Sequence, residues 1–512
     1  MSLWYRDVTL GGQGAVALLT LLIAQWVLSP LVYAQTTIIP SLTVSERYDS
    51  NIYWAPKSTL SPNSKPEDFI TMVVPQMTVS HAGSLMRGSV TGAGLMNKYI
   101  NNPNRDFTGW NVAGRLDLRD AARRVSQRIT TLSAMGTYRN TPFSTGFGAA
   151  GGGQNVGFGA TPAGALESGI VAGRANRQIY TLGLMGGYQL TGLTSLTASY
   201  LYTRISFGGQ QGGGNIPLFN TTGHTGTTAI NTRISARDTV GAAATMSHFE
   251  QDQSSGGSGQ GSYTTITEML NWNRLWTQEL TTYLAGGANF KLPVGSDIPG
   301  QSEELQIRPT VNARMTYSSY SEELREAGSS EGPLDSVPSL PGSITPRGIM
   351  GRGAYSVMTA YRYTYFPGYA FQSGPTQAHV LGITTVGGIT SKLTGQVGMN
   401  YAHRTSSSGS SSTADTVGVT VGARYLISSP IGPVLASLTG NWLYFSNSTT
   451  QVPVYEFSKE MVMLAFSYAF ASPVFFTIGE LGSAGTQGSG ESISVPSGVG
   501  TGSSPSGDGS GF

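Results

Sequence analysis

One pattern recurs between residues 37 and 470: segments of roughly ten to fifteen residues in which apolar and polar side chains alternate, divided by Gly, Ser, Asn and Pro. In 392–404, Leu393, Val397, Met399 and Tyr401 share one parity, while Lys392, Thr394, Gln396, Asn400 and Arg404 share the other. Successive residues of a strand point to opposite faces, so such a segment has one apolar wall and one wet wall. Candidate strands read this way cover 37–48, 68–82, 85–100, 107–118, 126–139, 177–190, 195–207, 226–236 and 239–250. They continue over 262–275, 279–292, 304–318, 352–366, 376–388, 391–404, 414–426, 433–446 and 455–470. No helical pattern intervenes to cover the apolar walls, and a closed barrel is the one sheet that satisfies all its backbone groups in hydrocarbon. The sequence therefore predicts an all-β, transmembrane, antiparallel up-and-down β-barrel of about 18 strands (16–18), an even number as in single-chain bacterial barrels.

Connector lengths alternate as well. Those after even-numbered strands are mostly short, near 83, 119–125, 191–194, 237–238, 276–278, 389–390 and 427–432. Those after odd-numbered strands are mostly long, at 49–67, 140–176, 208–225, 251–261 and 405–413. Short turns belong to the periplasmic side and long loops to the outside, so both ends of the barrel are expected in the periplasm. The connector 319–351 breaks the rule and reads as a lid, a small helix with a turn over 321–327, or an uncounted hairpin.

Composition narrows the reading further. The chain has 512 residues, 69 Gly and only 11% charged residues, unusual for a soluble enzyme and tolerated by a lipid-facing barrel. Mean hydropathy is −0.08, as expected where two faces average out. A formal charge of +2 gives no reason to expect nucleic acid. Cysteine is absent, which removes disulfides and thiolate metal sites.

Residues 1–34 read as a signal peptide, with Arg6, an apolar run over 15–28, a Ser29-Pro30 break, and Val32-Tyr33-Ala34 before the expected cut. A retained helix is the competing reading, but the run is shorter than the roughly 20 residues a span needs. The barrel domain is then 35–470, and 471–512 reads as a disordered Gly/Ser-rich periplasmic tail. Val462, Leu464, Phe466, Tyr468 and Phe470 form one face of the last strand, the kind of segment that barrel-assembly machinery recognises, although here it is internal.

Candidate chemistry follows parity. Arg115, Arg233, Arg237, Arg308, Arg314, Arg362, Lys392, Arg404 and Arg424 fall on the polar parity and are expected to line the lumen, where guanidinium groups favour anions. The alternative is pairing with acids such as Asp238, Glu250, Asp252 and Glu268. Aromatic residues near strand ends, among them Trp110, Tyr138, Tyr200, Tyr202, Trp272, Tyr361, Tyr363, Trp442 and Tyr468, read as membrane-interface girdles, with a sugar-stacking row as the rival. His81, His224, His248, His379 and His403 form no metal spacing. Ser247-His248 makes no catalytic pair, because strand neighbours face opposite ways, so neither enzyme activity nor a cofactor is expected. The Gly-rich stretches 146–159 and 208–214 lack the Lys-Ser/Thr of a phosphate loop, and 216–219 is bulky enough to fold back and narrow a pore.

Four segments carry a family resemblance: SLTVSERYDSNI at 41–52, TRISARDTVG at 232–241, NWLYF at 441–445 and SKEMVMLAFSYAF at 458–470. In these the chain resembles outer-membrane β-barrel proteins associated with exosortase (PEP-CTERM) and exopolysaccharide systems. The resemblance implies a cell outer membrane location and a hint of polysaccharide, and it assigns no binding residue. The expected function is a porin-like channel for small solutes or exported polysaccharide. The alternative is a structural or surface-interaction barrel with a plugged lumen and partner-binding loops. Expected partners are outer-membrane lipid, barrel-assembly machinery, and polysaccharide or small anionic solutes.

Overall fold

The structure, a computed structural model, describes residues 35–53, 56–60, 62, 64–142, 174–211, 219–253, 260–292, 305–319, 354–366, 376–406, 412–429, 432–449, 455–469 and 474–477. The signal segment, the 320–353 connector, the 216–218 stretch and the tail from 478 onward lie outside the described residues.

The strands run in chain order as β1 (Gln35–Asp49), β2 (Asp68–Ala82), β3 (Arg87–Tyr99), β4 (Phe107–Asp117), β5 (Ile129–Pro142) and β6 (Arg174–Gln189). Next come β7 (Thr194–Gln211), β8 (Phe219–Arg233), β9 (Asp238–Gln253), β10 (Gln260–Leu275), β11 (Leu280–Leu292) and β12 (Gln306–Ser318). The rest are β13 (Tyr355–Phe366), β14 (Thr376–Gly388), β15 (Leu393–Ser406), β16 (Ser412–Ser429), β17 (Gly432–Thr449), β18 (Tyr455–Ala469) and the short β19 (Val474–Thr477). Each strand from β1 to β18 pairs antiparallel with the next, and β18 returns to β1 with Ser41 opposite Ala469 and Asp49 opposite Met461. The result is a closed 18-strand antiparallel barrel with no free edge. β19 also pairs with β1, inside the stretch that the sequence assigns to the tail. Val474-Phe475-Phe476-Thr477 is apolar and β-prone, unlike the Gly/Ser-rich residues beyond it, so a strand forms there.

Alternation sorts every strand into two faces. On β18, Val462, Leu464 and Phe466 are exposed on the outside, whereas Met461, Met463 and Ala465 are buried on the inside. Outward Leu42 and Val44, Leu182 and Leu184, Leu381 and Ile383, Val397 and Met399 complete an apolar belt on other strands. The inner face bears hydroxyl ladders, as in Thr225 to Ser247 and Thr227 to Thr245, both at 3.0 Å. Gly418 and Gly422 leave room for Asn400 and Gln396 to lie over them from the neighbouring strand.

The inner wall departs from a uniformly wet surface along β1–β3 and β16–β18. Ile70, Met72 and Val74 of β2 point inward, and Met72 and Val74 pack with Ala93 and Met463. Nearer the long-loop end, Ile70 and Tyr99 hold Ile52, so the chain leaving β1 turns over the inner wall. Ala414, Leu443, Phe445 and Phe457 form a third buried group. β2 is apolar on both faces, with Phe69 and Met77 outside, which is why alternation alone does not reveal this packing.

Four short turns share one construction. Thr191, Ser235, Thr277 and Thr390 each accept two backbone N–H donors with the side-chain hydroxyl, from Leu193 and Thr194, Arg237 and Asp238, Glu279 and Leu280, and Lys392 and Leu393. The residue before each hydroxyl is apolar and exposed (Leu190, Ile234, Trp276, Ile389), so every turn is also anchored at the edge of the apolar belt. The connector 119–125 is instead a short helix, α1 (Arg119–Val125), where Ala121 N–H bonds Leu85 O at 3.0 Å.

The seam between β1 and β18 carries extra fastening. Lys459, 1% exposed, donates to Asp49 and to the Asn51 carbonyl, each at 2.9 Å, and Asp49 also accepts from Asn51 N–H. Ser50 and Glu460 exchange hydrogen bonds beside them.

Alanine at Thr191, Ser235, Thr277 and Thr390 removes about 1 kcal/mol per turn. The temperature at which the folded band converts to the unfolded one on electrophoresis therefore falls stepwise as substitutions accumulate, and an unchanged quadruple variant would dismiss the turn hydroxyls. Lys459→Met strands a buried carboxylate at a cost of roughly 3–5 kcal/mol. In urea titration of the refolded barrel, Lys459→Met with Asp49→Leu is expected to recover much of that loss.

Candidate conduit

The basic lining follows from the strand register. Arg115 of β4 lies opposite Ser89, Arg308 and Arg314 of β12 opposite Asn289 and Tyr283, and Arg362 of β13 opposite Asn312. Arg233 of β8 lies opposite Thr239, Arg404 of β15 opposite Ala414, and Arg424 of β16 opposite Thr394. Each of these side chains shares the inward parity of its strand. Arg237 and Lys392 do not belong with them. They occupy the β8–β9 and β14–β15 turns and are exposed at the short-turn rim, because β8 ends at Arg233, three residues before the alternating segment does, and β15 begins at Leu393, two residues after it.

Arg47, Arg87, Arg139, Arg177, Lys291 and Lys459 join the inward cations, and sequence reading did not single them out. Their signal is strand parity, since all six fall within the alternating segments of the sequence. Inward carboxylates in the described strands are Asp49, Asp68 and Asp117, and all are engaged locally. Asp49 binds Lys459, Asp68 accepts from Asn102 and the Asn101 backbone, and Asp117 caps the Arg119 N–H. Arg87 reaches Asp120 of α1 at 3.7 Å.

The acids that might have neutralised the lining point elsewhere. Asp238 faces outward, taking Trp272 Nε1 at 3.0 Å and lying 3.6 Å from Arg274. Glu250 lies 3.5 Å from outward His248, and Glu268 is exposed on the outer face. Among the described residues, Arg115, Arg233, Arg308 and Arg424 have no carboxylate within ion-pair distance. Arg314 and Arg362 sit on adjacent strands in diagonal positions, Arg314 stacking over Tyr283 at 5.8 Å. Among the described residues the cations of this wall therefore outnumber its carboxylates.

Toward the long-loop end the wall is covered. Arg404 is 2% exposed, and Ala378, Thr416, Leu443 and Lys459 are as deeply buried. At the opposite end of the barrel, Arg115 remains exposed.

The aromatic residues singled out near strand ends lie on the outer parity, whereas Tyr99, Tyr283, Phe445 and Phe457 face in. Trp110, Tyr138 and Tyr180 make tilted ring contacts across β4, β5 and β6, each pair with centroids 4.4 Å apart. Tyr200, Tyr361, Trp272 and Trp442 also face out, as girdle residues do, so none of these supplies a stacking row inside. The histidines His224 and His248 oppose each other across β8 and β9, and His379 opposes His403 across β14 and β15. Both pairs face outward, with Tyr200 bonded to His224 at 2.8 Å and His403 to Asp415 at 2.9 Å. Ser247 points inward to Thr225 while His248 points outward to Thr264, so they share no site. Among the described residues no group of His, Asp and Glu is arranged to hold a metal.

These faces define a membrane-spanning antiparallel β-barrel with a basic interior. Sequence comparison matches no family model and no curated protein. Among solved structures the chain is similar to the outer membrane protein OpdK of Pseudomonas aeruginosa, at 8% identity over 86% of this chain and 99% of that one, with a TM-score of 0.38. It is similar to OccAB3 of Acinetobacter baumannii, at 8% identity over 85% and 99% with a TM-score of 0.38. A third is the FrpB iron transporter of Neisseria meningitidis in its apoprotein form, at 10% identity over 87% and 83% with a TM-score of 0.41.

Because the chain has no cysteine, single thiols report the two faces without background. Arg115→Cys and Arg308→Cys are expected to react with a charged, membrane-impermeant thiol reagent in the folded barrel, and Leu464→Cys to stay protected by lipid. Equal labelling at all three positions would contradict the assignment of inside and outside.

Proposed function

We infer that this protein is a porin-like outer-membrane channel whose basic lumen favours small anionic solutes. One observation carries the reading: among the described residues, inward-facing Arg and Lys greatly outnumber inward carboxylates, which are themselves engaged by neighbours. A lumen wall with an excess of guanidinium groups concentrates anions and repels cations through its local potential. The apolar belt and aromatic girdles support a bilayer location, and the alternation of short turns with long loops supports a periplasmic short-turn end. Insertion by barrel-assembly machinery and a cleaved signal peptide over 1–34 belong to the same proposal. An exported polysaccharide is the second cargo, supported by the resemblance to exopolysaccharide-associated barrels. The outward orientation of the girdle rings Tyr200, Tyr361, Trp272 and Trp442 removes those rings from any stacking row in the lumen.

A filled barrel with partner-binding loops is the competing reading, favoured by the burial of Arg404, Thr416 and Leu443 near the long-loop end. Recording from purified protein in a planar bilayer separates the two. The channel reading expects stable open levels and a reversal potential shifted toward anions. Arg314→Ala with Arg362→Ala is expected to reduce that preference. An absence of open levels would favour the filled barrel, and unchanged selectivity in the double variant would overturn the basic lumen.

A further inference from the structure

Two lysines are buried among the described residues, and only one of them has a counter-charge. Lys459, 1% exposed, has the Asp49 carboxylate and the Asn51 carbonyl at 2.9 Å each. Lys291, 4% exposed, lies on the inward face of β11, with Thr265 of β10 and Gln306 of β12 opposite it. Among the described residues it has neither a hydrogen bond nor an ion pair. An ammonium taken out of water without a counter-charge loses hydration that nothing returns, so the wall around Lys291 is one anion short.

The neighbouring strands hold no acid that could supply it. From β8 to β13 the described inward positions carry Arg233, Lys291, Arg308, Arg314 and Arg362 and no carboxylate, since Asp238, Glu250 and Glu268 of the same strands face out. Arg308 is the cation nearest to Lys291 in register. It stands opposite Asn289 and so diagonal to Lys291 across β11 and β12, a spacing of roughly 7–8 Å that two long side chains close readily. Arg308 is partly exposed and, among the described residues, has no hydrogen bond or ion pair, so the cluster is open to the lumen on that side. Asn289, 6% exposed, holds Thr267 Oγ1 at 2.5 Å through Nδ2, while its Oδ1 is buried without a partner. Turned over, the amide takes the Thr267 hydroxyl as a donor to Oδ1 and places an N–H where the unpartnered oxygen stood.

We propose that Lys291, Arg308 and Asn289 form a subsite in the lumen for a small divalent oxyanion, the class to which inorganic phosphate and phosphate monoesters belong. The inference rests on the basic lumen proposed above and adds to its diffuse field one discrete, saturable position. Two cations match two negative charges. The planar guanidinium offers a pair of parallel N–H donors to two oxygens, the ammonium a point charge to a third, and the Asn289 amide a neutral donor. A halide lacks the spread of oxygens that engages all three, so the subsite discriminates among anions where the field alone does not. Lys291 is the last residue but one of β11 (Leu280–Leu292) and Arg308 the third of β12 (Gln306–Ser318). The subsite therefore lies at the long-loop end of the lumen, where a solute arriving from outside meets it first.

Inorganic phosphate, titrated calorimetrically into the full chain refolded in detergent at constant ionic strength in chloride, is expected to bind at one site per chain. It also raises the temperature at which the folded band converts to the unfolded one on electrophoresis, by mass action on the folded state. Lys291→Met abolishes both responses without lowering that temperature in chloride alone, because methionine replaces an uncompensated buried charge. Arg308→Gln weakens phosphate binding about tenfold, whereas Arg424→Gln on β16 removes a lumen charge and leaves the binding unchanged. The β11–β12 connector carries Asp297, Glu303 and Glu304, so Asp297→Asn with Glu303→Gln and Glu304→Gln is the matching control. Phosphate binding confined to that variant would give the site to the chain's own carboxylates and overturn the proposal. Equal binding to the parent and to Lys291→Met, phosphate binding no tighter than that of chloride, or a fall in the conversion temperature of Lys291→Met in chloride would each overturn it as well. In planar bilayers, anion preference with no reduction of the chloride current by phosphate would overturn the subsite and leave the channel reading, while phosphate binding by a barrel without open levels would uphold the subsite and overturn the channel.

Discussion

Backbone hydrogen bonding in hydrocarbon is the constraint on which this molecule depends. Each N–H and C=O inside a bilayer that lacks a partner costs several kcal/mol, and a sheet meets that demand only by closing on itself. The meeting of β1 with β18 is therefore the decisive contact of the fold, although its residues are separated by most of the chain. Its reinforcement fits that role. The buried Lys459–Asp49 pair, the Ser50–Glu460 exchange and the Thr43–Ser467 hydroxyl contact all lie on this one seam. Closure also explains the use made of turn hydroxyls. In a meander of hairpins every strand inherits its register from the previous turn, and Thr191, Ser235, Thr277 and Thr390 fix it by the same hydrogen bonds.

The same closure divides the charges. A strand residue faces either lipid or lumen, and Arg is costly in lipid, so most strand cations turn inward. What remains a feature of this protein is that acids do not follow them. Asp238, Glu250 and Asp415 lie on the outer parity, where they meet girdle residues at the belt's edges, and the inward carboxylates are engaged nearby. The lumen is left with a positive wall. Its shape is uneven, since apolar packing around Met72, Tyr99 and Phe445 fills one side.

Legibility varied with how local the signal was. Leu393, Val397, Met399 and Tyr401 announced a strand with a lipid face by themselves, because alternation is a property of neighbours. Arg314 and Arg362 were assigned to the polar parity for the same reason. Arg237 and Lys392 were harder, because the turns take up the last three residues of one alternating segment and the first two of the other. α1 escaped notice since seven residues are too few to establish a helical period. The destinations of Asp238, Glu250 and Glu268 required knowledge of which parity faced the lumen on strands where both faces are mixed.

Sequence by itself determined that the chain forms a long series of two-faced strands with no helix to cover the apolar side, and hence a barrel. That much is settled by the two-residue period of a strand and the cost of unpaired backbone in lipid. Tertiary structure alone decided which residues meet across the seam, how the inner wall is filled near β1 and β18, and that among the described residues inward cations outnumber inward carboxylates. Those outcomes depend on register between strands, set by turns and long-range pairing, and register leaves no mark in the order of residues along any one strand.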